Sequence, residues 1–399
     1  MLIFKISLGV FGRLMIVQIK NAHVLTPLED LGVVNIFVKD GIIEGYNLKE
    51  TPDKVIDAER YYVAPGYIDT HTHGYHGIDV TEATPDELQQ MSQMLAKHGV
   101  TSFLPTTVTA SHEKLVQACK NVYQATSTWA PPKGARIIGV FLEGPYINPK
   151  EKGAQNEQFI RKPNLKEFEE YYAVSKGLLR KILVAPEIEG ATEFIKTVVE
   201  KGVKVSLGHS DATYEEAIKG IEAGATIANH IFNGMRVFHH REPGIALALL
   251  LDPKVYIEMI ADYIHLHVAT LQLVYKLAGP SRTILITDAI SATGLPDGEY
   301  FLGGLKIRVQ QGISRLMDTG RLAGSTLTMD NAVKNMIKAG AGLLEALTMA
   351  SYTPSKSIEA LTREKIGYLK PGYKADLIIL DEKLNVKKTI INGELVYEG

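Results

Sequence analysis

His71 and His73 stand two apart in the run YIDTHTH, and in an extended backbone residues at i and i+2 face the same side. Both imidazoles can therefore reach one ion. Glu143 in FLEGPY, His209 in SLGHS, His230 in IANH and Asp288 in LITDA each end a short apolar run, where an unpaired polar side chain is costly to bury. Imidazole together with carboxylate suits zinc, iron or another first-row divalent ion, and a site that keeps a position open for water is catalytic rather than structural. The single cysteine, Cys119, allows neither an intramolecular disulfide nor a thiolate cluster. Any metal must be held by His, Asp and Glu, and the cysteine usage fits a reducing compartment.

Bringing these residues to one place is the work of the elements between them. From residue 62 to 361 apolar β-type runs alternate with helical patterns, the signature of a parallel sheet with crossover helices. Eight runs qualify as strands: 62–69, 100–106, 137–142, 182–186, 204–207, 226–228, 255–260 and 283–287. Thr84-Pro85-Asp86-Glu87 reads as a capping box with proline at the first helical position and Gly99 as the stop. A second helix over 214–222 has Thr213 as N-cap and Gly224 as stop. Eight β/α units predict an α/β fold, a TIM-like (β/α)8 barrel, in which function gathers at the C-terminal ends of the strands. Strand one then runs into His71 and His73, strand three into Glu143, strand five into His209, strand six into His230 and strand eight into Asp288. Singly, His209 would pass for a hydrogen-bonded core histidine, and Glu143 or Asp288 for a turn cap. Their shared place at strand ends makes them one site. His98 beside Gly99 needs only a helix C-terminus to explain it, while His23 and His112 read as solvent-facing.

The chain ends differ in character from the middle. Residues 15–61 and 366–397 are short β-type runs broken by turn signals, with Asp40-Gly41 and Asn392-Gly393 as tight turns. They predict a small β-sandwich domain built from both ends, 1–61 with 362–399, beside a metal-dependent barrel over 62–361. Residues 1–14 place Lys5 and Arg13 among apolar residues without a small-residue cleavage site, and read as an upstream extension before Met15. With 45% hydrophobic and 22% charged residues, the composition is that of a folded globular chain. Lys and Arg number 43 against 45 Asp and Glu, and no basic run stands out, so the footprint of a nucleic-acid partner is missing. No apolar stretch reaches the length of a membrane span, and a soluble, cytoplasmic protein is expected.

An H-x-H after strand one, a carboxylate from strand three, histidines from strands five and six and an aspartate from strand eight together resemble the amidohydrolase superfamily. Its members hydrolyse amide, ester or amine bonds with metal-activated water. More closely, APGYIDTHTHG (64–74), FLEGPYIN (141–148), KGAQN (152–156), LGHSDAT (207–213), NHIFNGM (229–235), HHREPG (239–244), IADYIH (260–265), ITDAISATG (286–294) and LAGSTLTM (322–329) are similar to motifs of the N-acetylglucosamine-6-phosphate deacetylase family. The likeness runs from Met15 through nearly the whole chain. It implies hydrolysis of the acetamide of N-acetyl-D-glucosamine 6-phosphate to D-glucosamine 6-phosphate and acetate, in amino-sugar catabolism or cell-wall recycling, by a cytoplasmic homodimer. It also implies one or two divalent ions per subunit, zinc or iron. Glu143, His209 and His230 would hold the main ion, with His71 and His73 completing a second site that Glu143 bridges. Asp288 would be the general base, taking a proton from water and returning it to the leaving amine. The phosphate would be met by Arg241 of the neighbouring subunit, by backbone N–H groups near Asn233 and Gly234, and by His265, with Gln155 near the acetyl group.

Two positions depart from the family pattern. Gln155 stands where some members have histidine, although an amide still hydrogen-bonds an acetyl or sugar oxygen. Tyr263 replaces a small, glycine-like residue, a bulk that could shift the loop presenting His265. The rival readings are another barrel amidohydrolase, a cyclic amidase or a deaminase, and a scaffold that has lost its metal chemistry. The end of strand four offers Glu187 rather than a lysine for a carboxylated metal bridge, and HHREPG has no obvious use on an uncharged heterocycle. Every ligand position is filled, which disfavours the inert scaffold. The absence of a G-x-x-x-x-G-K loop makes phosphate a recognition handle and not the reacting group.

Overall fold

The computed structural model describes residues 15–128, 133–362 and 365–399, so the expected extension 1–14 lies outside the described residues. Eight parallel strands form the barrel: Tyr67–Thr72, Val100–Thr107, Val140–Tyr146, Leu179–Val184, Lys204–Leu207, Ile227–Ala228, Tyr256–Ile260 and Thr283–Ile286, each paired with the next. The ring closes between the eighth and the first, where the Asp288 N–H donates to the His71 carbonyl at 2.9 Å and the His73 N–H to that of Ala289 at 2.7 Å.

Alternation along the strands divides the apolar residues between two cores. Val100, Phe103, Ile182, Val184, Val205, Leu207, Ile257 and Ile284 join the buried faces of the surrounding helices. Ile68, Leu104, Phe141 and Leu183 cluster separately. The helix Pro85–Ala96 starts at Thr84 with a complete capping box and buries Leu88, Met91 and Leu95; Tyr214–Glu222 starts at Thr213 with another. Such caps satisfy N–H groups that the helix itself cannot. Cys119 is buried in the helix His112–Ser127, where burial pushes its thiol up to about 12 and removes it from chemistry.

The two chain ends meet, as expected, in one small β domain, whose eight strands are connected in a single sheet. It forks at Ile16–Thr26, whose first half pairs with Lys54–Asp57 and whose second half pairs with Tyr62–Pro65. Tyr62–Pro65 also pairs antiparallel with Leu377–Leu380, which joins the ends. Val17, Ile19, Ile36, Ile43, Leu377 and Ile390 give this sheet its own core. Arg136 at the barrel side donates to Asp376 at 3.1 Å and to Asn392 at 2.8 Å, tying the two parts together through a buried ion pair. A three-stranded meander, Gly298–Leu302, Leu305–Gln310 and Ile313–Leu316, follows the eighth strand and was absent from the sequence-based expectation. No helix among the described residues is long and apolar enough to cross a membrane.

The run expected as one strand over 62–69 is two strands in two sheets, and Gly66 is the joint between them. A Cβ there would lie 2.1 Å from Thr101 Cγ2, far inside any real contact. Gly66→Ala is therefore expected to cost about 1–3 kcal/mol of stability, the usual scale of overpacking. Denaturant unfolding checks this, and an unchanged midpoint would show that the joint yields freely.

Candidate active site

His71, His73, Glu143, His209, His230 and Asp288 converge at the C-terminal mouth of the barrel, and all are buried. They form two triads, His71/His73/Asp288 and Glu143/His209/His230, with the ligand atoms of each within 4.8 Å of one another. Glu143 spans both. Its Oε1 lies 3.0 Å from His230 Nε2 and 3.2 Å from His71 Nε2, and its Oε2 lies 3.1 Å from His73 Nε2. Asp288 Oδ1 stands 3.0 Å from His73 Nε2 and 3.4 Å from that of His71, so the residue expected as a base is also placed to ligate.

Local backbone and hydrogen bonds aim these side chains. His209, His230 and Asp288 have positive φ (43°, 20° and 51°), a conformation of order 1–3 kcal/mol unfavourable for a residue with a Cβ. Each imidazole presents its outer nitrogen to an acceptor: His71 Nδ1 to Glu258 at 3.3 Å, His73 to the Thr106 carbonyl at 3.1 Å, His209 to that of Glu151 at 2.8 Å and His230 to that of Asn233 at 3.1 Å. The proton therefore sits on Nδ1, and the Nε2 lone pairs turn inward. His71 and His73 bring theirs within 3.3 Å, and His209 and His230 within 3.1 Å. Contacts that short need a positive charge between the nitrogens, a proton or a metal ion, and four inward nitrogens beside two carboxylates fit a divalent ion. Electrostatics agree. Burial alone would lower the His71 pKa, yet Glu143 and Asp288 push it up to about 9. Burial opposes ionisation of Glu143, yet His71 and His73 hold its pKa well below the usual range.

Over the ligands lies a cavity of about 270 Å³ that takes in Gln155, Asn233, Gly234 and His265. Gln155 holds Glu143, donating to its Oε2 at 2.6 Å while accepting from the Thr109 N–H at 2.6 Å. Its amide thus orients a ligand as well as facing the cavity. Asn233 Nδ2 donates back to the carbonyls of His230 and Ile231 at 3.3 and 3.2 Å. Gly234 has φ 57°, and a Cβ would come within 2.7 Å of His209 Nδ1. His265 is fixed by Asp262 at 2.7 Å and faces the cavity. Tyr263 adopts the positive φ that glycine favours, 63°, and directs its hydroxyl away to the Asn335 carbonyl at 2.5 Å.

Arg241 is not in the cavity of its own chain; it is exposed, with Nη1 2.8 Å from His240 Nε2. Arg321 and Glu151 line the cavity without having been singled out from the sequence. Lys181 and Glu258 were also missed, although each is a charged residue inside an apolar barrel strand, a signal that a partner must exist. Glu187 turns aside, accepting from Asn148 at 2.8 Å and Ser210 at 2.7 Å. His23 and His112 are partly exposed, in line with the solvent-facing reading, and are partnered by Asp30 and by Tyr171 with Glu170.

A (β/α)8 barrel with His, Glu and Asp converging at its C-terminal mouth is built to hold divalent metal, and with residues 62–396 matching the Amidohydrolase family, the chain belongs to that family of hydrolases. It is 42% identical to the N-acetylglucosamine-6-phosphate deacetylase of Vibrio furnissii, over 84% of this chain and 83% of that one. It is 39% identical to the N-acetylgalactosamine-6-phosphate deacetylase of Escherichia coli O157:H7, over 90% and 93%. A mutant of the Mycobacterium smegmatis N-acetyl-D-glucosamine-6-phosphate deacetylase, solved in complex with that sugar phosphate, matches with a TM-score of 0.88 at 32% identity, covering 96% of this chain and 100% of that one.

Two triads around one shared carboxylate predict two divalent ions per chain in the purified protein. Elemental analysis should show the content falling to one in His71→Ala/His73→Ala. An unchanged content would exclude those histidines as ligands.

Proposed function

We propose that the protein hydrolyses the acetamide of N-acetyl-D-glucosamine 6-phosphate, giving D-glucosamine 6-phosphate and acetate, with zinc or iron at one or both triads. The observation that carries this reading is the complete ligand set beneath a cavity sized for one small molecule, in a chain like the deacetylases throughout. When bound, a divalent ion supplies Lewis-acid polarisation of the acetyl carbonyl and an acidified water. Asp288, at the mouth, takes the proton from the attacking water through the carboxylate oxygen not turned to the imidazoles. The same group returns it to the amide nitrogen, which cannot depart unprotonated. Asn233, Gly234 and His265 form the wall that meets the sugar phosphate. Amino-sugar catabolism or cell-wall recycling in the cytoplasm is the setting that fits this substrate and the lone buried thiol.

Acetate release from the phosphorylated sugar tests the proposal, with N-acetyl-D-galactosamine 6-phosphate as comparator because one relative bears that name. Faster turnover of the galactose epimer would move the assignment to it, and no acetate from either would end it. Asp288→Asn keeps the shape but cannot accept a proton, so kcat should fall by about 10²–10⁴-fold with substrate binding retained. A near-unchanged kcat would remove Asp288 from proton transfer.

Arg241 is assigned to the phosphate of a neighbouring copy's site in a homodimer. Its absence from its own cavity supports this, as does apolar surface alongside it. Val237 is 84% exposed and Phe238 50%, and with Leu273 and Leu277 they line a groove that a second copy would cover. Arg241→Ala should weaken the phosphorylated sugar severely and leave the unphosphorylated one nearly unchanged. Mixing it with Asp288→Asn under subunit exchange should restore activity, because the heterodimer has one site with both residues intact. Proven exchange without recovery would place Arg241 in its own subunit's site.

A further inference from the structure

Lys181, on the fourth barrel strand, and Glu258, on the seventh, form an ion pair across the barrel interior, and both are fully buried. Lys181 Nζ donates to Glu258 Oε1 and, at 3.0 Å, to the Thr70 carbonyl. Thr70 Oγ1 donates to the same Oε1 at 3.1 Å. The second carboxylate oxygen, Oε2, is left to His71 Nδ1 at 3.3 Å. Phe141 fills the space between, its ring centroid 5.0 Å from that of His71 and 3.8 Å from Lys181 Nζ.

Packing alone does not call for this arrangement. Apolar residues of similar volume often serve a core as well as a buried ion pair, whose desolvation its attraction barely offsets. What the pair does supply is a carboxylate held in place by Lys181 and Thr70 and turned toward one imidazole. His71 alone among the four inward-facing histidines receives it; His73, His209 and His230 face backbone carbonyls. A carboxylate behind an imidazole fixes its tautomer and orientation and makes its other nitrogen a stronger ligand.

We infer that Lys181 and Glu258 are positioning residues for His71, strengthening the ion held by His71, His73 and Asp288 over the ion held by Glu143, His209 and His230. The inference rests on the two-ion reading above. The test is competition between the metal-stripped full chain and a chelating indicator for Zn²⁺, which reads each ion's affinity without turnover. Glu258→Gln should weaken the His71 ion by about 10–100-fold, the usual scale for loss of such a partner, and leave the other ion nearly as tight. In the His71→Ala/His73→Ala background, where one ion remains, the same substitution should change nothing, whereas a merely structural role would weaken that ion too. If Glu258→Gln fails to fold because Lys181 is left uncompensated, Lys181→Met/Glu258→Gln removes the stranded charge and should show the same selective weakening. Equal weakening of both ions, or no weakening, overturns the inference and leaves the two-ion reading standing. A parent protein that binds one ion overturns both.

Discussion

A ring of parallel strands unites distant parts of a sequence only if its last strand meets its first in a fixed register. Here that register is set by backbone donors on Asp288 and His73 and by Thr287, whose hydroxyl donates to Asp69 at 2.5 Å. The same contacts that close the barrel place Asp288 against His71 and His73. Sliding the seam by one residue would exchange inward for outward side chains on the eighth strand and dissolve one triad. Fold closure and ligand geometry are one constraint.

Glu143 extends that constraint to the rest of the mouth. Its two oxygens are divided between imidazoles of both triads, and its remaining capacity is taken by Gln155 Nε2 and by Asn229 Nδ2 at 2.8 Å. A carboxylate with so many donors has little freedom to rotate, so residues from the first, third, fifth and sixth strands are held relative to one another. The positive φ values at His209, His230 and Asp288 belong to the same picture, because strained backbone persists only where its surroundings over-determine it.

What the sequence disclosed follows from where the information is local. Buried parallel strands read as apolar runs, and polar residues ending such runs stand out, which is why His71, His73, Glu143, His209, His230 and Asp288 were legible together. The two helix caps were legible because a capping box is complete within a few residues. Gly66 was not legible as a joint, since the apolar pattern of 62–69 continues through it and only Thr101, across a strand, forbids a side chain there. Lys181 and Glu258 escaped for the same reason: the two lie 77 residues apart, and neither carries a motif. Arg321 sits on an exposed stretch after the meander, where arginine is unremarked until the fold turns that stretch over the cavity. Arg241 was recognisable in HHREPG, but within its own chain it is exposed and lies outside the cavity.

Charge balance ties these pieces to the metal. Asp69, Glu143, Glu258 and Asp288 are buried around the mouth, with Lys181 as the buried ammonium among them. Burial raises Asp69 to about 6, which still leaves it mostly ionised at neutral pH. The excess negative charge must be met by cations, since isolated buried carboxylates are prohibitively costly. Without an ion, protons on the imidazoles fill that need: burial would lower the pKa values of His71, His73 and His209, and the carboxylates Glu143 and Asp288 instead raise them. Protons and divalent ions therefore compete for the same charge deficit, and loading the site must release protons. The arrangement that makes the mouth a hydrolytic site is also the one that prevents its acidic residues from being left uncompensated.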